Sequence, residues 1–297
     1  MRLDQYLEKK RKLVDRALDR YLPAGNVPDR LVEAMRYSLL GGGKRFRPIL
    51  ALASCEAVGG SIDAVLPFAC AIEMIHTYSL IHDDLPAMDN DELRRGRPTN
   101  HIVFGEALAI LAGDALLTEA FRIMGEAALA AGVRQRRALQ VLTEIAAAVG
   151  PRGMVGGQAA DIAAEHSQAD LPLVEFIHVR KTGELIRVSV RTGAILGGAR
   201  PGQLRQLSRY AEFLGLAFQI ADDILDEEGS VQTTGKLAGS DRRHHKATFP
   251  SVLGLPASKQ RLRELLDQAL EELSSFNKSA EPLRQIAKLI VARACVA

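Results

Sequence analysis

The sequence predicts an all-α protein, and three observations carry that prediction. Apolar residues recur at steps of three and four over long stretches, best seen in Leu204, Leu207, Ala211, Leu214, Phe218, Ala221 and Leu225, which form one stripe along a helix. Alanine, the best helix former, is abundant and lets helices approach closely. Strand patterns are scarce; the one candidate, Ile186, Val188 and Val190, has no second strand to pair with and reads as helix. With 297 residues, 47% apolar and 25% charged, the chain can bury a substantial core. No compositional break or repeat divides it, so a single domain over 1–297 is expected.

Taken in order, the start MRLDQYLEKKRKL holds no apolar core of signal-peptide length, which points to a cytoplasmic protein. A helical stripe over 31–40 ends at Gly41, Gly42 and Gly43. The most apolar run, 64–81, contains Pro67, Glu73 and His76. A membrane span tolerates that mixture poorly, so the run reads as a buried core helix and no stable membrane association is expected. Further stripes cover 107–124 and 138–149, with glycine punctuation at 150–157 and 197–202, before the long helix around 204–225 and a last stripe over 262–273. Residues 227–249 are rich in Gly, Ser, Thr and His, and loops that long in a compact domain usually serve function. Lys plus Arg total 38 against 36 for Asp plus Glu, a net charge of +2, which removes the electrostatic case for a nucleic-acid partner. Cys55, Cys70 and Cys295 form no CxxC pair and suit a reducing compartment.

Two acidic clusters end strongly apolar helices: Asp83, Asp84 and Asp89 in IHDDLPAMDND, and Asp222, Asp223 and Asp226 in QIADDILD. A helix C-terminus carries partial negative charge, so each acid there is unfavourable by roughly 0.3–1 kcal/mol. Taken singly, either cluster also reads as a solvated acidic face. At the ends of core helices a cation must compensate, either Lys/Arg or a metal. Asp222 and Asp226 share a helix face at i and i+4 and can grip an ion from one wall. Asp89, with Pro86 between it and Asp83, wraps from a helix end into a loop. Such hard oxygen donors suit Mg2+, which keeps positions for water and phosphate.

Cationic groups gather in the same motifs. GGGKRFRP supplies Lys44, Arg45 and Arg47 without the Ser or Thr of a nucleotide-binding P-loop. Arg94 and Arg95 follow the first acidic cluster, Lys181 and Thr182 stand in VRKTGEL, and Lys236 and Lys246 lie in and after the glycine-rich loop. With two metal-type clusters they describe a diphosphate site, and the apolar helices around it imply a hydrocarbon tail on that ligand. His76 precedes Asp83 by about two helical turns, on much the same face. His82 reads as structural.

GGGKRFRP, IHDDLPAMDNDELRRGRPTNH, QIADDILD and TGKLAGSD, spread over about residues 31–255, resemble the trans-isoprenyl diphosphate synthases, the bacterial farnesyl type in particular. The resemblance implies long, mostly antiparallel helices round a deep central cavity, a homodimer, and three Mg2+ per active site. It implies condensation of isopentenyl diphosphate with dimethylallyl or geranyl diphosphate to farnesyl diphosphate. On the same resemblance, Asp83, Asp84, Asp89, Asp222, Asp223 and Asp226 hold Mg2+ on the allylic diphosphate. Arg94, Lys181 and Lys236 contact that diphosphate, with Lys246 nearby. Lys44, Arg47, His76 and Arg95 bind isopentenyl diphosphate, and Thr182 and Gln219 line the reacting carbons. His244, His245 and Leu237, the last in place of a common proline, depart from the family pattern around the loop lysines. The terminal ARACVA is poor in charge and is assigned no contact.

Tyr78 and Ser79 precede Asp83 by five and four residues, roughly 6–7.5 Å deeper along a helix. An aromatic ring there either floors the cavity and stops the tail at the farnesyl length, as the resemblance implies for Tyr-Ser before IHDD, or only packs in the core, with the limit set elsewhere. The motifs offer no protein base, so the proton lost on condensation goes to the departing diphosphate. Geranylgeranyl and geranyl synthases are the nearest alternatives. A class I terpene cyclase would lack the second basic pocket of Lys44, Arg47 and Arg95. A non-catalytic synthase subunit would lack acids from one motif, whereas both are intact here.

Overall fold

The computed structural model describes residues 2–23, 25–130, 134–164, 170–228, 246 and 248–295. The chain runs through α1 (Leu3–Tyr21), α2 (Asp29–Leu39), α3 (Phe46–Ala57), α4 (Leu66–Asp83), α5 (Asn100–Phe104), α6 (Glu106–Leu129) and α7 (Gln135–Val149). It continues through α8 (Met154–Ala164), α9 (Leu171–His178), α10 (Glu184–Gly197), α11 (Pro201–Glu228), α12 (Phe249–Leu253), α13 (Leu255–Glu272) and α14 (Glu281–Cys295). The expected stripes fall on α2, α6, α7, α11 and α13, and Ile186, Val188 and Val190 lie in α10. Gly156 and Gly157 sit inside α8 rather than in a loop. Most of the glycine-rich stretch, including Lys236, lies outside the described residues.

One element has no counterpart in the helical reading. Leu93–Arg94 and Arg97–Pro98 pair as a two-residue antiparallel hairpin, β1 and β2. Its turn residues Arg95 and Gly96 both take positive φ, 54° and 74°, the backbone twist that a two-residue hairpin turn needs.

The core consists of two apolar clusters that share α3 and α10. Ala51, Leu52 and Cys55 of α3 pack with α1, α2, α4, α6 and α7, while Ile49, Leu50 and Ala53 pack with α11, α13 and α14. The second shared helix divides likewise, with Leu185, Val188 and Ile195 on one side and Ile186, Val190 and Ala194 on the other. Because α10 buries side chains toward both clusters, Ile186, Val188 and Val190 alternate with Arg187 and Ser189 and locally resemble a strand. The buried hydroxyls of Ser54 and Ser189 donate to the carbonyls of Leu50 and Leu185, so neither is left without a partner.

Fold and site meet at helix ends. The stretch Ile62–Asp83 is long and apolar enough to cross a bilayer, and 67% of its apolar window is buried inside the protein, as expected of a core helix. It delivers Asp83 at the end of α4 with Asp84 as its C-cap. Just before α3, Arg45 takes a left-handed backbone, φ 49°. Its guanidinium turns inward to Asp15 (2.7 Å), Glu73 (3.0 Å) and the Leu39 carbonyl (2.7 Å), tying α1, α2 and α4 together. Of the three basic residues in GGGKRFRP, Arg45 is therefore structural.

The α3–α10 contact depends on Gly193, where an added Cβ would lie 1.8 Å from the Ala51 carbonyl oxygen. Replacing glycine by alanine inside a helix ordinarily gains about 1 kcal/mol. Gly193→Ala should instead lose about 1–3 kcal/mol by overpacking, read as a lower urea midpoint at unchanged slope; a higher midpoint would contradict this packing.

Candidate active site

The first acidic group is folded by its own backbone. After α4 the chain loops back so that the Asp89 amide donates to the Asp83 carbonyl at 2.8 Å, bringing the two carboxylates together. Burial raises the pKa of Asp83, and repulsion from Asp89 adds to it, while Lys181, Arg94 and Lys246 pull the other way. Lys246 Nζ lies 3.1 Å from Asp89 Oδ2. Asp84 is held differently: Arg94 Nε lies 2.7 and 2.9 Å from its two oxygens, and Arg94 Nη2 lies 2.6 Å from Oδ1.

The second group divides in the same way. Asp222 is exposed and Asp226 half-buried on the outer face of α11, whereas Asp223 turns inward and is buried. Asp223 Oδ2 accepts from His178 Nε2 at 2.8 Å and from the Phe249 amide at 3.0 Å. Its Oδ1 accepts from Gln219 Nε2 at 3.0 Å. Thr182 Oγ1 in turn donates to Gln219 Oε1 at 2.9 Å.

Thr182 and Lys181 stand on a single π turn, Val179–Gly183, between α9 and α10; such wide turns are frequent at functional sites. The turn packs closely on α11, since a Cβ at Gly215 would lie 2.9 Å from Gly183 Cα. Lys181 Nζ donates to Asp161 Oδ2 of α8 at 2.6 Å. Lys181 also acts on Asp83, while Thr182 on the same turn bonds Gln219, so the turn reaches toward both acidic groups.

Beside these walls lies a patch of mutually repelling cations. Burial and Arg293 lower the pKa of Lys44. Arg47 is pushed down to about 10, by burial first and by Arg95 second. Burial also lowers Arg95, which bonds the Gly42 carbonyl. Burial holds His76 well below the ordinary histidine range, and Arg47, Arg95 and Arg94 push it further down. The Nε of Arg47 is shut off from solvent with no hydrogen-bond partner. Glu73 opposes part of this repulsion at Arg47 and Arg95, and the charge of Asp222 reaches both Lys44 and Arg47.

Tyr78 is buried and meets His82 edge-on, ring centroids 5.7 Å apart. His82 is fixed in turn by a 3.0 Å hydrogen bond to the Ile110 carbonyl. The hydroxyl of Ser79 donates back to the His76 carbonyl.

Four contributors went unmarked in the sequence: Glu73 behind Arg45, Asp161 on Lys181, His178 on Asp223, and Arg293 near Lys44. His178 precedes Lys181 by one helical turn, and that spacing was its one available signal.

Among the described residues, no three His, Cys, Asp or Glu side chains converge on one point. Asp83, crowded by Asp89 and desolvated, nevertheless has the character of a hard oxygen donor short of positive charge. Carboxylates arranged as two walls fit Mg2+, whose remaining ligands are then water and phosphate oxygens.

The chain matches the family model described as polyprenyl synthetase over residues 28–288. It is 48% identical to the farnesyl diphosphate synthase of Geobacillus stearothermophilus, over 98% of both chains. It is 47% identical to the geranylgeranyl diphosphate synthase of Cyanophora paradoxa, over 97% of this chain and 95% of that one. Among solved structures it resembles an FPP/GFPP synthase from Zymomonas mobilis in its apo form. That match has a TM-score of 0.86 and 43% identity, covering 98% of this chain and 99% of that one.

His76 carries a stability consequence. Its pKa lies below that of the unfolded chain, so between the two values the unfolded state binds the extra proton and stability falls as the pH drops. The ligand-free protein should lose melting temperature between about pH 7.5 and about pH 5.5, and His76→Gln should flatten that loss. An equally steep loss in the variant would contradict the burial of a neutral imidazole.

Proposed function

The chain belongs to the polyprenyl synthetase family and is a prenyltransferase; on that premise we propose that it condenses isopentenyl diphosphate with dimethylallyl and then geranyl diphosphate, releasing farnesyl diphosphate. The observation that carries this reading is the second cationic pocket. Lys44, Arg47, His76 and Arg95 form a second basic group beside the Lys181 and Lys246 that attend the aspartates, with Arg94 acting on both, and Arg47 Nε has no partner of its own. Two anion pockets suit two diphosphate substrates, as chain elongation requires and cyclisation does not.

In this reading Asp83, Asp89, Asp222 and Asp226 would hold the metal, while Asp84 and Asp223 would act from behind, through Arg94 and through Gln219. Mg2+, three ions per site, supplies charge that stabilises the departing diphosphate when bound. Arg94 and Lys181 add their own charge to that leaving group, and Lys236 and Lys246 do so from the loop. Lys181 leaves Asp161 to make this contact. The isopentenyl pocket holds the second substrate with its double bond against the allylic carbon, replacing an encounter in solution by a fixed orientation. The allylic carbon–oxygen bond breaks first to leave a delocalised cation and free diphosphate, the isopentenyl double bond then attacks the cation to form the carbon–carbon bond, and the proton lost from the new chain passes to the released diphosphate. Apolar walls keep water from the cation.

Tyr78, braced by His82, floors the tail pocket below Asp83, with Ser79 beside it. We place the protein in the cytoplasm as a homodimer that is free of membrane and nucleic acid. Support for self-association is the apolar face of α5 and α6, where Ile102, Val103, Ile110 and Leu111 are exposed.

Two variants test the assignments. Arg47→Met should raise KM for isopentenyl diphosphate about 10- to 100-fold and leave KM for the allylic substrate within about 3-fold; equal rises in both would remove the separate pocket. Tyr78→Ala should shift the product toward the 20-carbon alcohol after dephosphorylation and mass analysis, and an unchanged profile would remove the floor.

A further inference from the structure

We infer that His178 is a positioning residue for prenyl transfer: through Asp223 and Gln219 it fixes the Thr182 hydroxyl with its lone pairs toward the reacting carbons. The inference rests on the function proposed above.

The polarity follows from the groups themselves. The Phe249 N–H, which can only donate, and His178 Nε2 both meet Asp223 Oδ2, so the carboxylate serves as an acceptor. The end of Gln219 that faces it must therefore be the NH2 group, which leaves Oε1 toward Thr182. An amide oxygen only accepts, so the hydroxyl must donate to it. With its hydrogen committed to Gln219, Thr182 offers nothing but lone pairs in other directions. A fixed electron-rich oxygen beside a developing allylic cation stabilises it, whereas a hydroxyl hydrogen aimed the same way would oppose it.

His178 sets this chain from its far end. Its Nε2 and the Phe249 amide occupy Asp223 Oδ2, which leaves Oδ1 for Gln219. The imidazole is buried, its ring against that of Phe249 with centroids 5.4 Å apart. It is also the last residue of α9, where the π turn carrying Thr182 begins. One residue thus governs both ends: its backbone leads into Thr182, and its ring orients the partner of Thr182. Without it, Asp223 can swing, the amide can invert, and the hydroxyl hydrogen is released toward the substrate.

The test compares His178→Leu, His178→Gln, Thr182→Val and the double variant His178→Leu/Thr182→Val, each measured for kcat, for both KM values and for melting temperature. His178→Leu should lower kcat about 10- to 100-fold, as loss of an outer orienting partner does, with KM for isopentenyl diphosphate within about 3-fold. His178→Gln, which keeps a donor at the ε position, should restore kcat to within about 5-fold. On a Thr182→Val background, His178→Leu should cost less than about 3-fold more, because the relay has lost its end group. Full kcat in His178→Leu, losses that multiply in the double variant, or a His178→Gln that recovers melting temperature without kcat would each overturn the inference. If His178→Leu does not fold, His178→Asn withdraws the ε donor while keeping a polar side chain and is read by the same criteria. A wild-type protein that elongates neither allylic starter overturns the proposed function instead, a result distinct from all of these.

Discussion

Like charges crowd twice in this protein. Asp83 is pressed against Asp89 at the end of a core helix, and Arg47, Arg95 and Arg94 crowd a buried His76 close by. In water such groups would spread apart; at the desolvated ends of packed helices they cannot, and each set raises the free energy of the ligand-free state. A ligand of the opposite charge relieves that repulsion at once, so binding energy is stored where the chemistry occurs. The remaining features of the site follow from keeping both sets in place against that repulsion.

That task falls to groups facing away from the substrates. Arg45 spans Asp15 and Glu73 beneath the cationic patch, Arg94 clamps Asp84, and His178 with the Phe249 amide clamps Asp223. Each acidic motif therefore has an outward carboxylate and an inward one, and the inward one anchors the wall. The α3–α10 contact, made through Gly193, sets the spacing beneath: α3 begins just after Lys44, and α10 begins where the Thr182 turn ends.

Helices, stripes and both acidic motifs were readable because they rest on local periodicity and on charge placed against the helix dipole. The roles of Asp84 and Asp223 were not, since adjacent aspartates look equivalent until the backbone turns one of them inward. Arg45 beside Lys44 and Arg47 poses the same problem, and only its left-handed backbone separates it. The hairpin at 93–98 escaped because each strand is two residues long, too short to alternate. Asp161 and Arg293 act across long sequence separations and left no pattern to read, and His178 left only its one-turn spacing from Lys181. The resemblance assigns residues as a set; their individual bonds come from packing.

The central claim, that two groups of crowded like charge bring two diphosphates together, is tested most directly by incubating the purified protein with Mg2+, isopentenyl diphosphate and either dimethylallyl or geranyl diphosphate. The products are dephosphorylated and analysed by mass. Farnesol as the dominant, metal-dependent alcohol from both starters is the predicted result. Folded protein that yields no elongated alcohol from either starter would contradict the claim.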